Sequence, residues 1–303
     1  MIGSIVNKLF VGFSRRPQRY QLRYEIGIVN PSPRDVPMVV VCPLPPDTEY
    51  QTVRNTSFQP NVGGIGRESR HGNAYAWWDV VVPPGGGLTL TLAALLGVAP
   101  RNGTQKCVGS NPPAAFLNGD RYIVISDDIR HRAQEAVGSA DDRSTIAMRC
   151  YEYVVSHIKY GQPITGLYTS EEALRLPVVD CGGFSTLLAA MLQSQGVPTR
   201  LVVGFWAGHQ SNQMHAWIEC EVQGGQWLPL DPSVDFLRQN GRTKKTGGFG
   251  HIGSDRIVFS HGCDLSIKVG NRSMETPILQ YPVVVSDFFK SITTTLNVFA
   301  TRL

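Results

Sequence analysis

The chain of 303 residues carries 28 Lys+Arg against 24 Asp+Glu, a formal charge of +4, with 42% hydrophobic and 17% charged residues. That balance excludes intrinsic disorder and allows one large or two ordinary domains, each able to bury a core. The basic excess is scattered: the runs Arg15, Arg16, Arg19 and Arg238, Arg242, Lys244, Lys245 lack interleaved aromatics, so they read as solvated loops and no nucleic-acid partner is expected.

Residues 1–13 place Ile2, Ile5, Val6, Leu9 and Phe13 at helical spacing, with Lys8 among them and the arginines after them, the reverse of a secretory signal. Beyond this N-terminal segment, 1–19, Leu22, Tyr24, Ile26 and Ile28 alternate with polar residues, the period-2 mark of a half-buried strand. Residues 38–42, 74–82, 88–93 and 121–125 read as further strands, separated by turns such as Pro83-Pro84-Gly85-Gly86-Gly87. Thirteen of the 20 prolines precede residue 126, as short strands and turns require. An all-β sandwich over 20–125 follows.

From residue 126 the pattern becomes helical. Ser126, Asp127 and Asp128 open one helix, and a second begins near Asp141 with Ile146, Cys150, Tyr153, Val154 and Ile158 on one face. A third opens at Ser170. The fourth spans 181–195, with Phe184, Leu187, Leu188, Met191 and Leu192 in register and Gly196 and Pro198 at its end. Strands are predicted at 199–205, 214–222 and 226–230, and weaker ones at 257–259, 264–269 and 278–285. An amphipathic C-terminal helix from Ser286 would carry Phe288, Phe289, Ile292, Leu296 and Phe299. The division is thus 126–285 for a second domain and 286–303 for a C-terminal segment. Both terminal segments are expected to pack on the body or on a second copy of the chain, giving a homo-oligomer. No apolar run reaches the ~18–20 residues of a membrane span.

Six cysteines, at 42, 107, 150, 181, 220 and 263, show no CxxC or zinc spacing, which suggests free thiols and a cytoplasmic location. Cys181 falls in the first turn of the fourth helix, where free N–H groups and the helix dipole favour a thiolate. Asp180 reads as the helix cap, and its charge opposes that thiolate, so a base is required. His215 opens a strand whose apolar face is Met214, Ala216, Ile218, Cys220 and Val222, and Asp231 ends the next strand, beyond Gly224-Gly225. Taken singly, each of these residues also has a structural reading. A strict two-residue loop would set Asp231 opposite residue 218, on the wrong face. A three-residue loop or an equivalent bulge sets it opposite Trp217, diagonal to His215, and that register is the prediction. The trio then reads as nucleophilic catalysis in which the thiolate attacks a carbonyl, His215 shuttles a proton and Asp231 fixes the imidazole tautomer. The Cys181 N–H would be one oxyanion donor and Tyr160 or Tyr168 a second, although both tyrosines also read as packing residues.

Four segments in order, Asp180-Cys181-Gly182-Gly183-Phe184, Gln195-Gly196-Val197-Pro198-Thr199-Arg200, His215-Ala216-Trp217-Ile218-Glu219 and Trp227-Leu228-Pro229-Leu230-Asp231-Pro232, resemble the core of the transglutaminase-like superfamily over residues 142–235. One departure is Val179, two residues before the cysteine, where many members have glycine. The resemblance implies an α+β fold, a papain-like core preceded by a β-sandwich, with Cys181, His215 and Asp231 performing acyl-thioester chemistry on a protein or peptide amide. Hydrolysis is preferred to Gln–Lys transamidation because nothing identifies an amine-donor site; an inactive binding scaffold is the other reading. No acidic loop resembles an EF-hand, and His209 and His215 lack partners at metal spacing, so no cofactor or metal is expected. Gly248-Phe249-Gly250-His251-Ile252-Gly253 matches GxGxxG but lacks a preceding strand and a following helix, and reads as a flexible loop.

Overall fold

A computed structural model describes residues 16–106, 113–207, 214–286 and 292–303. The chain begins with β1 (Gln18–Val29), β2 (Val36–Pro43), β3 (Gln51–Gln59), β4 (Gly64–Arg67), β5 (Ala74–Val82), β6 (Gly87–Val98), β7 (Arg101–Asn102) and β8 (Gln105–Lys106). Four helices follow: α1 (Asp127–Val137), α2 (Arg143–His157), α3 (Ser170–Arg175) and α4 (Cys181–Ser194). Then come β9 (Thr199–Trp206), β10 (Met214–Gln223), β11 (Gln226–Leu230) and α5 (Pro232–Gln239). The chain closes with β12 (His251–Ile252), β13 (Arg256–His261), β14 (Leu265–Val269), β15 (Arg272–Thr276), β16 (Val283–Val285) and β17 (Thr293–Arg302). The arrangement is mixed α+β. No described helix is long and apolar enough to cross a membrane.

Helix starts obey their caps. Ser126, Asp142, Thr169, Asp180 and Asp231 each accept a first-turn N–H through the side chain, and Thr169 forms a reciprocal capping box with Glu172. Two predicted elements are corrected. Residues 121–125 form no strand, because side chains take their backbone donors: Asp120 accepts from the N–H of Tyr122 and Ile123 at 2.8 Å each, and Ser170 Oγ from Val124 at 2.8 Å. The C-terminal helix is instead β17, paired antiparallel with β1 from Tyr20↔Arg302 to Val29↔Thr293. There a period of two prevails: Leu296, Val298 and Ala300 pack inward while Phe299 stays exposed. Gly27 is required under this pairing, since a Cβ there would lie 2.4 Å from Thr295 Oγ1. Phe288 and Phe289, like residues 1–13, fall outside the described residues. The predicted strand at 278–285 shortens to β16, while β3, β4, β15 and α5 are elements that hydrophobic periodicity did not reveal.

Two four-stranded antiparallel sheets, ordered β17-β1-β6-β3 and β16-β2-β5-β4, share one buried cluster. Leu22, Tyr24, Leu90, Met38, Val40 and Trp78 meet there, joined by Phe205, Ile257 and Phe259 from a third sheet. That third sheet, ordered β13-β9-β10-β11-β8, carries the helices on one face. Leu201, Val203, Ala216, Ile218, Cys220 and Leu230 pack against the apolar sides of α1, α2 and α4. On the other side Val202, Trp217 and Val258 meet Tyr50 and Ile252. The buried Glu219 of β10 accepts from Tyr50 at 3.2 Å and Arg200 at 2.7 Å, and also from Arg101. Burial alone would raise its carboxyl, but Arg101 and Arg200 outweigh that and hold it well below the ordinary range.

Candidate active site

The start of α4 is shaped by close approach. Asp180 Oδ1 accepts from the N–H of Gly182 at 2.9 Å and Gly183 at 3.2 Å, and Oδ2 from Ile164 at 3.2 Å. A Cβ on Gly183 would lie 2.7 Å from the Val179 side chain, and one on Gly182 2.8 Å from Leu167 Cδ1. Val179 therefore fits where glycine was the familiar residue because Gly183 makes the room. The strand-like bridge Tyr160↔Val179, with Gly161 N–H to Val179 O at 2.9 Å, sets Tyr160 beside the segment that delivers Cys181.

Opposite that helix end, His215 and Asp231 meet: Nε2 lies 2.8 Å from Oδ2, and both side chains are buried. The register that joins them is the one predicted. Gly224 and Gly225, at φ of 55° and 78°, make a two-residue turn, but a bulge between Glu221 and Gln223 resets the ladder so that Ile218 pairs with Leu230. Continued by one residue, the ladder brings Asp231 level with Trp217. Asp231 Oδ1 also accepts from Ser233 Oγ at 3.2 Å and caps α5 through Val234 N–H at 3.3 Å, so one carboxylate anchors a helix and orients an imidazole. Because a carboxylate only accepts, Nε2 of His215 carries the hydrogen and Nδ1 keeps the lone pair of a base.

Several supporting residues were not singled out from sequence. Trp206, at the end of β9, stacks on the His215 ring with centroids 4.1 Å apart and planes 9° apart. Arg256 lies over Trp206 at 4.1 Å, donates to Thr246 O at 2.7 Å and reaches Asp231 Oδ2 at 3.4 Å. Gln280 Nε2 donates to Gly204 O at 2.8 Å and to His215 O at 3.1 Å, so a residue far along the chain fixes the histidine backbone. A buried Trp ending an apolar strand was a usable sequence signal; Arg256 and Gln280 carried none.

Two segments first read as loose loops hold the site together. The GxGxxG stretch is a brace: Gly248 O accepts from Asp231 N–H at 3.0 Å, and Gly250 N–H donates to Pro229 O at 2.8 Å. Gly247, at φ 134°, runs its backbone so close that a Cβ would lie 3.3 Å from Asp231 Oδ2. The basic run is likewise engaged. Arg238 pairs with Asp235 and donates to Gly247 O at 2.8 Å, Arg242 donates to Tyr160 O at 2.9 Å, and Lys245 Nζ sits 3.4 Å from the Trp206 ring centroid. Burial and Arg256 pull the Lys245 amine down to about 8.

The electrostatics correct one expectation. Burial first, and then Asp180 and Asp231, push the Cys181 thiol up to about 12 against hydrogen bonds from the backbone N–H of Ala216 and Gly182. The helix end thus does not by itself yield a thiolate. Burial also lowers His215, with Arg256 and Lys245 adding to it and Asp231 opposing. Asp231 is held below its ordinary value, burial being outweighed by His215 and Arg256. The resting site is a neutral thiol, a neutral imidazole and a carboxylate. Burial, followed by Cys181 and Asp180, raises the Tyr160 phenol, which marks it as a neighbour of the sulfur. Tyr168 is no oxyanion donor, because its hydroxyl is committed to Gln162 O at 2.8 Å. His209 falls outside the described residues, and among those described no cluster of three His, Cys, Asp or Glu side chains forms a metal cage.

Known proteins can now be set beside this geometry. No curated protein matches the sequence. The fold is similar to that of a "putative cysteine protease" from Cytophaga hutchinsonii, at 14% identity and a TM-score of 0.64 over 95% of this chain and 91% of that one. The periplasmic domain of TgpA from Pseudomonas aeruginosa is more distant, at 12% identity and a TM-score of 0.43 over 79% and 94% of the two chains. The family model described as the transglutaminase-like superfamily matches residues 130–232, which include Cys181, His215 and Asp231. That stretch of the chain belongs to the transglutaminase-like superfamily.

Proposed function

We propose that the chain is a thiol-dependent amide hydrolase or acyltransferase with Cys181, His215 and Asp231 as its catalytic triad. The observation that carries this reading is the buried His215–Asp231 hydrogen bond beside a sulfur that accepts from the neighbouring Ala216 N–H. As Cys181 Sγ attacks the amide carbonyl, His215 Nδ1 takes the thiol proton, and it then gives that proton to the leaving amine. The product is a thioester, and water or a second amine releases the acyl group. The Cys181 N–H and the Tyr160 hydroxyl serve the oxyanion, and Tyr160→Phe is expected to lower kcat by about 10²-fold. Hydrolysis is preferred to Gln–Lys transamidation, since no amine-donor subsite is apparent and water always reaches a thioester.

The helices packed on a sheet at α4 support a papain-like arrangement for about residues 126–285, and the shared cluster of the two four-stranded sheets supports a sandwich for 20–125. Five unbridged cysteines, Cys42, Cys150, Cys181, Cys220 and Cys263, support a reducing compartment such as the cytoplasm. The test is incubation with a glutamine-containing peptide and a labelled primary amine, in wild type and in Cys181→Ala and His215→Ala. Cleavage or deamidation lost in both variants supports the reading. Amine incorporation faster than hydrolysis reverses the preferred reaction, and activity that survives Cys181→Ala overturns the triad.

A further inference from the structure

The segment 240–250 brings two cations to the walls of the site. Arg242 lies along the Tyr160 wall, donating to Tyr160 O at 2.9 Å with its guanidinium centre 5.6 Å from the Tyr160 ring, and it is exposed. Lys245 lies along the Trp206 wall, and Trp206 stacks directly on His215. Both are therefore held by aromatic faces, and an aromatic face fixes a cation without cancelling its charge.

The carboxylates of the same region are engaged elsewhere. Asp180 caps α4, Asp231 accepts from His215 and Arg256, Asp235 accepts from Arg238 and Tyr151, and Asp255 accepts from Arg256 at 2.7 Å. Among the described residues no carboxylate forms an ion pair with Arg242. A substrate entering beside Cys181 thus meets outward positive charge on the Tyr160 and Trp206 walls, with the nearby negative charge already matched.

We propose that Arg242 and Lys245 select an acyl donor bearing a carboxylate close to the reacting amide, so that the substrate class is an acidic peptide. This rests on the reading of Cys181 as the nucleophile, and two readouts separate the claims. The first needs no turnover: the rates at which anionic iodoacetate and neutral iodoacetamide alkylate Cys181 are measured on its isolated peptide by mass spectrometry. Their ratio is divided by the ratio for free mercaptoethanol. At low salt that normalised preference for the anion is expected to exceed unity by about 5–10-fold, and to collapse at about 0.5 M salt. Arg242→Gln and Lys245→Gln should each reduce it, and the double variant should abolish it.

The second readout is kcat/KM for peptides that differ only by Glu, Gln or Lys beside the reacting amide. The Glu peptide should lead by about tenfold, mainly through KM, and Arg242→Glu should shift the preference toward Lys. Turnover without any preference for anions, in either readout, overturns the substrate class and leaves the triad standing. Anion-selective alkylation with no turnover of any peptide, and no effect of His215→Ala on labelling, overturns the catalytic reading and the proposal with it.

Discussion

His215 Nε2 and Asp231 Oδ2 lie 2.8 Å apart with neither side chain open to solvent, although 16 residues and a hairpin turn separate them in the chain. Asp231→Asn removes the acceptor that fixes the tautomer while its remaining oxygen can still cap α5. We predict a loss of about 10²–10⁴-fold in kcat with a modest change in Tm. A variant that is folded and retains more than a tenth of wild-type kcat would argue that Asp231 serves the helix alone.

The neutral resting pair sets the pH response. A thiol raised to about 12 stays protonated at neutral pH, so iodoacetamide labelling of Cys181 should climb steadily through alkaline pH without a plateau below the ordinary thiol value of ~8.5. His215 is lowered, so it remains a competent neutral base below pH 6.5, and the acid limb of kcat/KM should fall below that value. Thiolate absorbance near 240 nm already present at pH 7 would mean that an ion pair exists before substrate binds.

The bulge at Val222 makes a geometric prediction. Deleting Val222 would leave the Gly224-Gly225 turn in place but pair residue 218 with 231, turning the aspartate away from His215. The expected product is folded by circular dichroism and inactive, with activity recovered when one residue is inserted elsewhere in the same turn. An active deletion variant would show that the ladder reforms its bulge at another position.

Glu219 offers a stability test apart from catalysis. Glu219→Gln leaves the buried Arg101 without a counter-charge, a change that costs about 3–5 kcal/mol, readable as a drop in the denaturant midpoint. Because the carboxyl is depressed, its stabilising contribution is complete above its ordinary value of 4.5 and disappears only as pH falls through the much lower folded value. Equal midpoints for the two proteins at pH 7 would assign the network no net stabilising role.

How much of this was legible in the sequence depended on how local the signal was. The caps at Ser126 and Asp180, the alternation in β1 and the apolar run of α4 are short-range patterns, and the structure follows them. The hairpin register could be reasoned from which face Asp231 had to occupy, so the bulge was anticipated before its position was known. Residues 121–125 misled because a strand-like pattern does not reveal that Asp120 and Ser170 side chains will claim the backbone donors. Residues 293–302 misled because Phe299 and Leu296 suit a helical stripe as readily as Leu296, Val298 and Ala300 suit a strand, and only β1 decides between them. Trp206, Arg256 and Gln280 reach the site from separate strands and connections, and no spacing rule links them to Cys181.

The bond from Gln280 to the carbonyl of His215 spans 65 residues, and Arg256 arrives 25 residues after Asp231. During synthesis, a nascent chain that has emerged only through Asp231 possesses the whole triad but lacks the strand that flanks β9 and the side chains that fix the imidazole. Maturation of the thiol is thus expected to await the translation of its distal third. Ribosome-stalled chains ending at residue 250 should label at Cys181 as an unstructured cysteine does, whereas chains extended beyond residue 302 should acquire the slow labelling of the folded site. Activity already present in the shorter product would place that timing elsewhere. A latent nucleophile of this kind spares the ribosome's other products from a protease born half-made.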